Sequence, residues 1–88
     1  YASAKGAIIS ATKALAKEVA KKGVTVNAVA PGFISSDMTK HLNEADLKKQ
    51  IPANRFGKPE EVAQLVSFLA SEKSAYITGE IISISGGI

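Results

Sequence analysis

The chain has 88 residues, 11 of them Lys or Arg and 8 Asp or Glu, for a formal charge of +3. That length fits one domain with a modest core, and so small and dispersed a charge argues against nucleic acid while leaving an acidic partner open. There is no cysteine, so disulfides and thiolate metal sites are excluded, and no apolar run approaches the roughly 18 residues of a membrane span.

Tyr1 and Lys5 stand four residues apart at the head of an apolar-patterned stretch. On a helix this spacing places both side chains on one face, one turn apart. An ammonium beside a phenol favours the phenolate, which brings a tyrosine towards proton transfer at neutral pH. The spacing alone equally describes an ordinary surface pair. Because this first residue is the best candidate for chemistry and no initiator Met precedes it, the chain is expected to be the tail of a longer protein.

From Ala2 to Lys22 there is no proline, alanine is frequent, and Ile8, Leu15 and Val19 recur with Ala4, Ala11 and Thr12 at helical spacing. Lys13, Lys17 and Lys21 line the polar side, which reads as a solvated face or a docking surface. Lys22 joins them in the last turn, and Gly23 is the expected stop. Val24 to Ala30 is short, rich in β-branched residues and apolar on both faces apart from Thr25 and Asn27, which predicts a buried parallel strand ending at Pro31-Gly32. In parallel sheets ligands lie beyond the carboxyl ends of the strands, so a ligand is expected at the loop that begins there.

Between Phe33 and Gly57 the pattern is irregular and long for a connection, as binding loops are. Ser35, Ser36 and Asp37 offer caps for one short helix, and Asn43 caps another through about Gln50. Glu44, Asp46 and Asp37 read as caps rather than metal ligands, and His41 as solvated surface. Pro59, Glu60 and Glu61 open a helix with Val62, Leu65, Val66 and Leu69 as its stripe, running to about Ala70 or Ser71. Ser71 to Gly79 reads as a polar turn with Tyr76 and Ile77 tucked under it. Glu80 to Ile84 is predicted as a second strand, parallel to the first and ended by Gly86-Gly87. Gly86-Gly87 reads either as a turn or as a contact to a cofactor or an interface. Two strands are too little sheet to stand alone, so others are expected from elsewhere.

Tyr1-x-x-x-Lys5, Val26-Asn27-Ala28-Val29-Ala30-Pro31-Gly32, Pro59-Glu60-Glu61-Val62-Ala63, Tyr76-Ile77-Thr78-Gly79 and Gly86-Gly87 resemble, in that order, the C-terminal part of a short-chain dehydrogenase/reductase. The resemblance covers essentially the whole chain. Pro31-Gly32-Phe33-Ile34, Ser36-Asp37-Met38-Thr39 and Arg55-Phe56-Gly57-x-Pro59-Glu60-Glu61 are most similar to the β-ketoacyl-acyl carrier protein reductases of fatty-acid synthesis. The fold this implies is α/β: residues 1–88 as the C-terminal portion of one Rossmann-like, doubly wound parallel-sheet domain, with a substrate loop at about 33–57.

The resemblance further implies NADPH as the cofactor, with NAD not excluded. Tyr1 would be the proton donor to the nascent alcohol oxygen, and Lys5 would lower its pKa and bind the nicotinamide ribose. Pro31, Gly32 and Ile34 would give main-chain contacts to the nicotinamide, and Ser36 stands where the family usually has a threonine near the cofactor. Phe33 and Met38 would belong to the substrate loop, and Lys22 would help dock an acyl carrier protein. A cytoplasmic homotetramer follows from the same likeness, or an organelle stroma if a transit peptide preceded the chain, with no nucleic-acid or membrane partner and no metal.

The glycine-rich dinucleotide loop and the catalytic serine of the family do not occur in these 88 residues, so the chain by itself is expected to be inactive. Ser85 stands where such reductases often have Asp or Asn, and Lys5 is followed by Gly-Ala rather than Ala-Gly. Two other readings stand beside this one. One is a short-chain dehydrogenase for a sugar, steroid or other secondary alcohol; the other is a non-catalytic α/β module whose basic helix binds an acidic partner.

Overall fold

The computed structural model describes residues 2–37 and 43–88. Helix α1 spans Ala2–Val19 and tightens into a 3₁₀ turn over Ala20–Lys22. Gly23, at φ 75°, ends it with its N–H donated to Ala20 O at 3.1 Å. A left-handed glycine after lysines in the last turn is the predicted stop.

Strands β1 (Ala28–Pro31) and β2 (Ile81–Ile84) pair in parallel, Ala28 opposite Ile81 and Pro31 opposite Ile84. Ala28 N–H donates to Glu80 O at 2.9 Å and Gly32 N–H to Ile84 O at 3.0 Å, so even-numbered residues of β1 face β2. The imide nitrogen of Pro31 points the other way, and no ladder bond is lost.

β1 begins four residues later than the predicted Val24 to Ala30. Asn27 is the reason. Its Nδ2 donates to Ile77 O at 3.1 Å and its Oδ1 accepts from Glu80 N–H at 3.1 Å. Before it, Val26 N–H donates to Thr78 Oγ1 at 3.0 Å and Gly79 N–H to Val26 O at 2.8 Å. Side-chain bonds from Asn27 and Thr78 are thus mixed with the backbone bond of Gly79 at the head of the pair, and the regular ladder starts only after them.

Between the strands lie α2 (Glu44–Lys48), α3 (Pro59–Leu69) and a 3₁₀ turn over Glu72–Ser74. Asn43 caps α2 through Asp46 N–H, and Glu44 and Asp46 stand in its first turn as expected. Pro59 opens α3, and Glu61 accepts the Lys58 N–H at 3.0 Å. The short helix expected after Asp37, together with His41, falls on residues 38–42, outside the described residues.

Ala16, Ile51 and Phe56 are buried, together with the polar Thr12 and Ser74. The predicted stripe of α1 is only partly covered, since Ile8 and Leu15 are 57% and 47% exposed. α1 instead meets the turn before β2: Lys13 Nζ donates to Gly79 O at 3.1 Å, and a β-carbon on Gly79 would stand 3.5 Å from Ala16 Cβ. Two short strands are too narrow to cover a long helix.

Tyr76 is fully exposed, contrary to the expectation that it tucks beneath its turn. Ile77 N–H bonds to Ser74 O at 2.9 Å and Ile77 O accepts from Asn27. That brings Ile77 inward and leaves its neighbour outside. Among the described residues no helix is long and apolar enough to cross a membrane.

Candidate active site

β1 delivers the chain to the carboxyl edge of the sheet at Pro31 and Gly32. Gly32 passes so near Ser85 that a β-carbon there would lie 2.9 Å from Ser85 Cβ and 3.0 Å from its Cα. The two strand exits are therefore pressed together at a glycine, and Gly32 is required by proximity. The first turns of α1 lie across a cleft of about 460 Å³ from the sheet, with Lys5 and Ile8 on one side and β1 from Ala28 to Pro31, Gly32, Ser83 and Ser85 on the other, so that it runs along the strands to their carboxyl edge. Small-molecule sites commonly have such volumes and sit at this edge of parallel sheets.

Of the residues predicted from sequence, Lys5, Pro31 and Gly32 are brought together here. Tyr1 and Met38 lie outside the described residues. Ile34 is set one step further along, in a parallel bridge with Gly57. The bonds of that bridge run from Gly57 N–H to Phe33 O and from Ser35 N–H to Gly57 O, both 2.9 Å. They leave the N–H and C=O of Ile34 itself turned away from Gly57. Ser36 is exposed on the same loop.

Phe33 is half-buried, its ring stacked on Phe56 with centroids 5.4 Å apart and planes at 17°. Its side chain therefore supports the stem of the loop. Lys22 is exposed at the far end of α1, about 25 Å from Lys5 at the helical rise.

Several residues named in the sequence without a defined contact shape the site. Gly86 (φ 68°) and Gly87 (φ 101°) take conformations that disfavour side chains. A β-carbon on Gly86 would stand 2.8 Å from Ile51 Cγ2, and one on Gly87 3.1 Å from Pro52 Cβ. Ala53 N–H donates to Gly86 O at 3.0 Å. The double glycine thus seats the end of the 33–57 loop against the exit of β2. Asn27 and Ser85 are the other two, and their contacts come from residues distant in the chain.

One charged pair stands at the loop stem. Arg55 Nη1 and Nη2 donate to Glu61 Oε1 and Oε2 at 2.7 and 3.0 Å. The Arg55 hydrogen bond, with the Lys58 N–H second, draws the Glu61 carboxyl down from 4.5 to about 2. The same carboxylate raises the Arg55 guanidinium. Among the described residues no group of His, Asp and Glu could hold a metal ion.

A parallel pair of strands with helical connections and a cleft at its carboxyl edge is part of an α/β, Rossmann-like fold. A family model described as enoyl-(acyl carrier protein) reductase matches residues 1–88. Along its whole length the chain is 54% identical to the 3-oxoacyl-(acyl-carrier-protein) reductase FabG of Vibrio cholerae, 55% to that of Aquifex aeolicus and 50% to that of Escherichia coli. It spans 37% of the length of each of these relatives. The chain belongs to the short-chain dehydrogenase/reductase family.

Proposed function

We propose that residues 1–88 are the C-terminal unit of an NADPH-dependent reductase that converts 3-oxoacyl-carrier-protein to 3-hydroxyacyl-carrier-protein in fatty-acid synthesis. The observation that carries this reading is the identity of 50% to 55%, over the whole chain, to relatives named for that activity. By the same likeness the parent protein acts as a cytoplasmic homotetramer.

The residues present fit a nicotinamide. The cleft has the volume for the ring and its ribose, Lys5 lines it with an ammonium, and Gly32 beside Pro31 lets the ligand approach the backbone. When bound, NADPH supplies hydride to the 3-keto carbon. Tyr1 donates its phenolic proton to the oxygen of that carbonyl, giving the alcohol and a phenolate that solvent reprotonates. Lys5, one turn along, stabilises the phenolate and donates to ribose hydroxyls. Pro31, Gly32 and the backbone of Ile34 hold the nicotinamide side, and the Ser36 hydroxyl stands by the cofactor. Phe33 and Met38 belong to the loop that covers the substrate, and Lys22 receives the acidic carrier.

The 88 residues hold no glycine-rich phosphate loop, so the isolated chain should be inactive and the test belongs to the parent protein. Loss of NADPH absorbance with an acetoacetyl thioester is the expected result. Consumption only with a 2-enoyl thioester or with a sugar or steroid ketone, or none at all, would overturn the reading. Replacing NADPH by NADH in the same assay measures the cofactor preference.

A further inference from the structure

The loop that leaves the sheet after Pro31 is tied back at its stem by several contacts converging on Phe33 to Ser35. The Ile34–Gly57 bridge and the Phe33–Phe56 stack are two of them. The third lies just outside. Arg55 spans from the returning strand of the loop to α3, both of its terminal nitrogens on the two oxygens of Glu61, while Nη1 also donates to Phe56 O at 3.1 Å. Glu61 is itself held by the Lys58 N–H at 3.0 Å. A bidentate arginine fork fixes direction as well as distance, which a single contact does not. Behind it lies a cavity of about 60 Å³ whose walls include Ile34, Arg55, Glu61 and Ser85. The ion pair and Ile34 therefore border the same small space.

We propose that Arg55 and Glu61 are positioning residues: a latch between α3 and the loop stem that holds the Ile34–Gly57 bridge in place, and with it the Ile34 backbone that the function proposed above assigns to the nicotinamide. The role at the cofactor rests on the function proposed above; the latch itself does not. Glu61 stays ionised throughout the neutral range, so the pair acts as a fixed tie rather than a switch. Cutting it frees the stem to open locally while the sheet and α3 persist.

Arg55→Gln removes the fork but leaves Glu61 on the Lys58 N–H, so α3 keeps its cap, and Arg55→Lys restores the charge without the fork. In the full parent protein, hydrogen exchange at the Ser35 and Gly57 amides reports the stem directly, and NADPH binding reports the cleft. Arg55→Gln should speed exchange at both amides about two- to fivefold and weaken NADPH binding to a similar degree, with kcat at saturating cofactor nearly unchanged and Arg55→Lys intermediate. Unchanged exchange in Arg55→Gln would overturn the latch, and faster exchange with unaltered NADPH affinity would overturn the positioning role. A wild-type protein that binds no NADPH would refute the proposed function instead, with the exchange result still deciding the latch.

Discussion

Gly32 and Ser85 meet backbone to backbone where the two strands leave the sheet, with space for no β-carbon between them. Gly32→Ala should therefore force the strand exits apart, at about 1–3 kcal/mol for overpacking a site that cannot yield. Gly57→Ala is the control. A β-carbon there would approach Ile34 Cδ1 at 2.8 Å, the free end of a side chain that can rotate away. Urea unfolding of the parent protein should show the larger loss for Gly32→Ala, together with weaker nicotinamide binding.

Asn27 sits astride the head of the pair, donating to Ile77 O and accepting from Glu80 N–H. Asn27→Ala leaves the part-buried Ile77 carbonyl and the exposed Glu80 N–H without that partner, which should destabilise by about 1–2 kcal/mol. Thr78→Val removes only the acceptor of Val26 N–H and should cost less. The two side chains brace the same turn, so the double variant should fall short of the sum. Denaturant midpoints of the three variants check the order and the shortfall.

Glu61 ionises more readily in the fold than its ordinary 4.5, at about 2, because Arg55 and the Lys58 N–H hold its carboxylate. A depressed carboxyl pKa contributes stability that is complete above the unfolded value and is lost as pH falls through the folded one. The charged groups near it are Arg55, Lys58 and Glu60. The stability gap between wild type and Arg55→Gln should therefore be flat from pH 8 to about 5 and close between 4.5 and 2. The pair is open to solvent and the gap small, as for exposed ion pairs generally. Urea titrations across that range provide the check.

Lys22 lies about 25 Å along α1 from Lys5, so a carrier docked there must present its thioester on an extended arm. Lys22→Glu should raise KM for a carrier-linked substrate, on the order of tenfold at low salt and less at high salt, and leave kcat nearly untouched. A small thioester analogue should be unaffected in the same enzyme. Steady-state kinetics with both substrates separates docking from chemistry, and equal effects on the two would remove the docking role.

The order of elements was legible because its signals are local. Gly23 after a lysine-rich turn, Asn43 before Glu44, and Pro59-Glu60-Glu61 each bias a few neighbouring backbone angles, and each marks an element boundary within a residue or two. The turn at the strand's end was legible too, since Pro31-Gly32 closes an apolar run, although β1 is half-buried rather than fully buried as expected. What the local pattern does not carry is contact between distant residues. Nothing around Asn27 announces that it will bond to Ile77 and Glu80 and delay its own strand. Tyr76 was misplaced for a similar cause, because the bonds that turn Ile77 inward come from Ser74 and from Asn27 across the turn. The close approaches of Gly32 to Ser85 and of Gly86 to Ile51 are of the same kind.

The most direct test of the proposed reductase is turnover by the parent protein and its Tyr1→Phe variant, with NADPH and an acetoacetyl thioester. Loss of a positioned proton donor lowers the rate by about 10²–10⁴-fold while leaving the rest of the site in place. The account predicts a loss of that size with NADPH affinity retained. Near-normal turnover by Tyr1→Phe would contradict it.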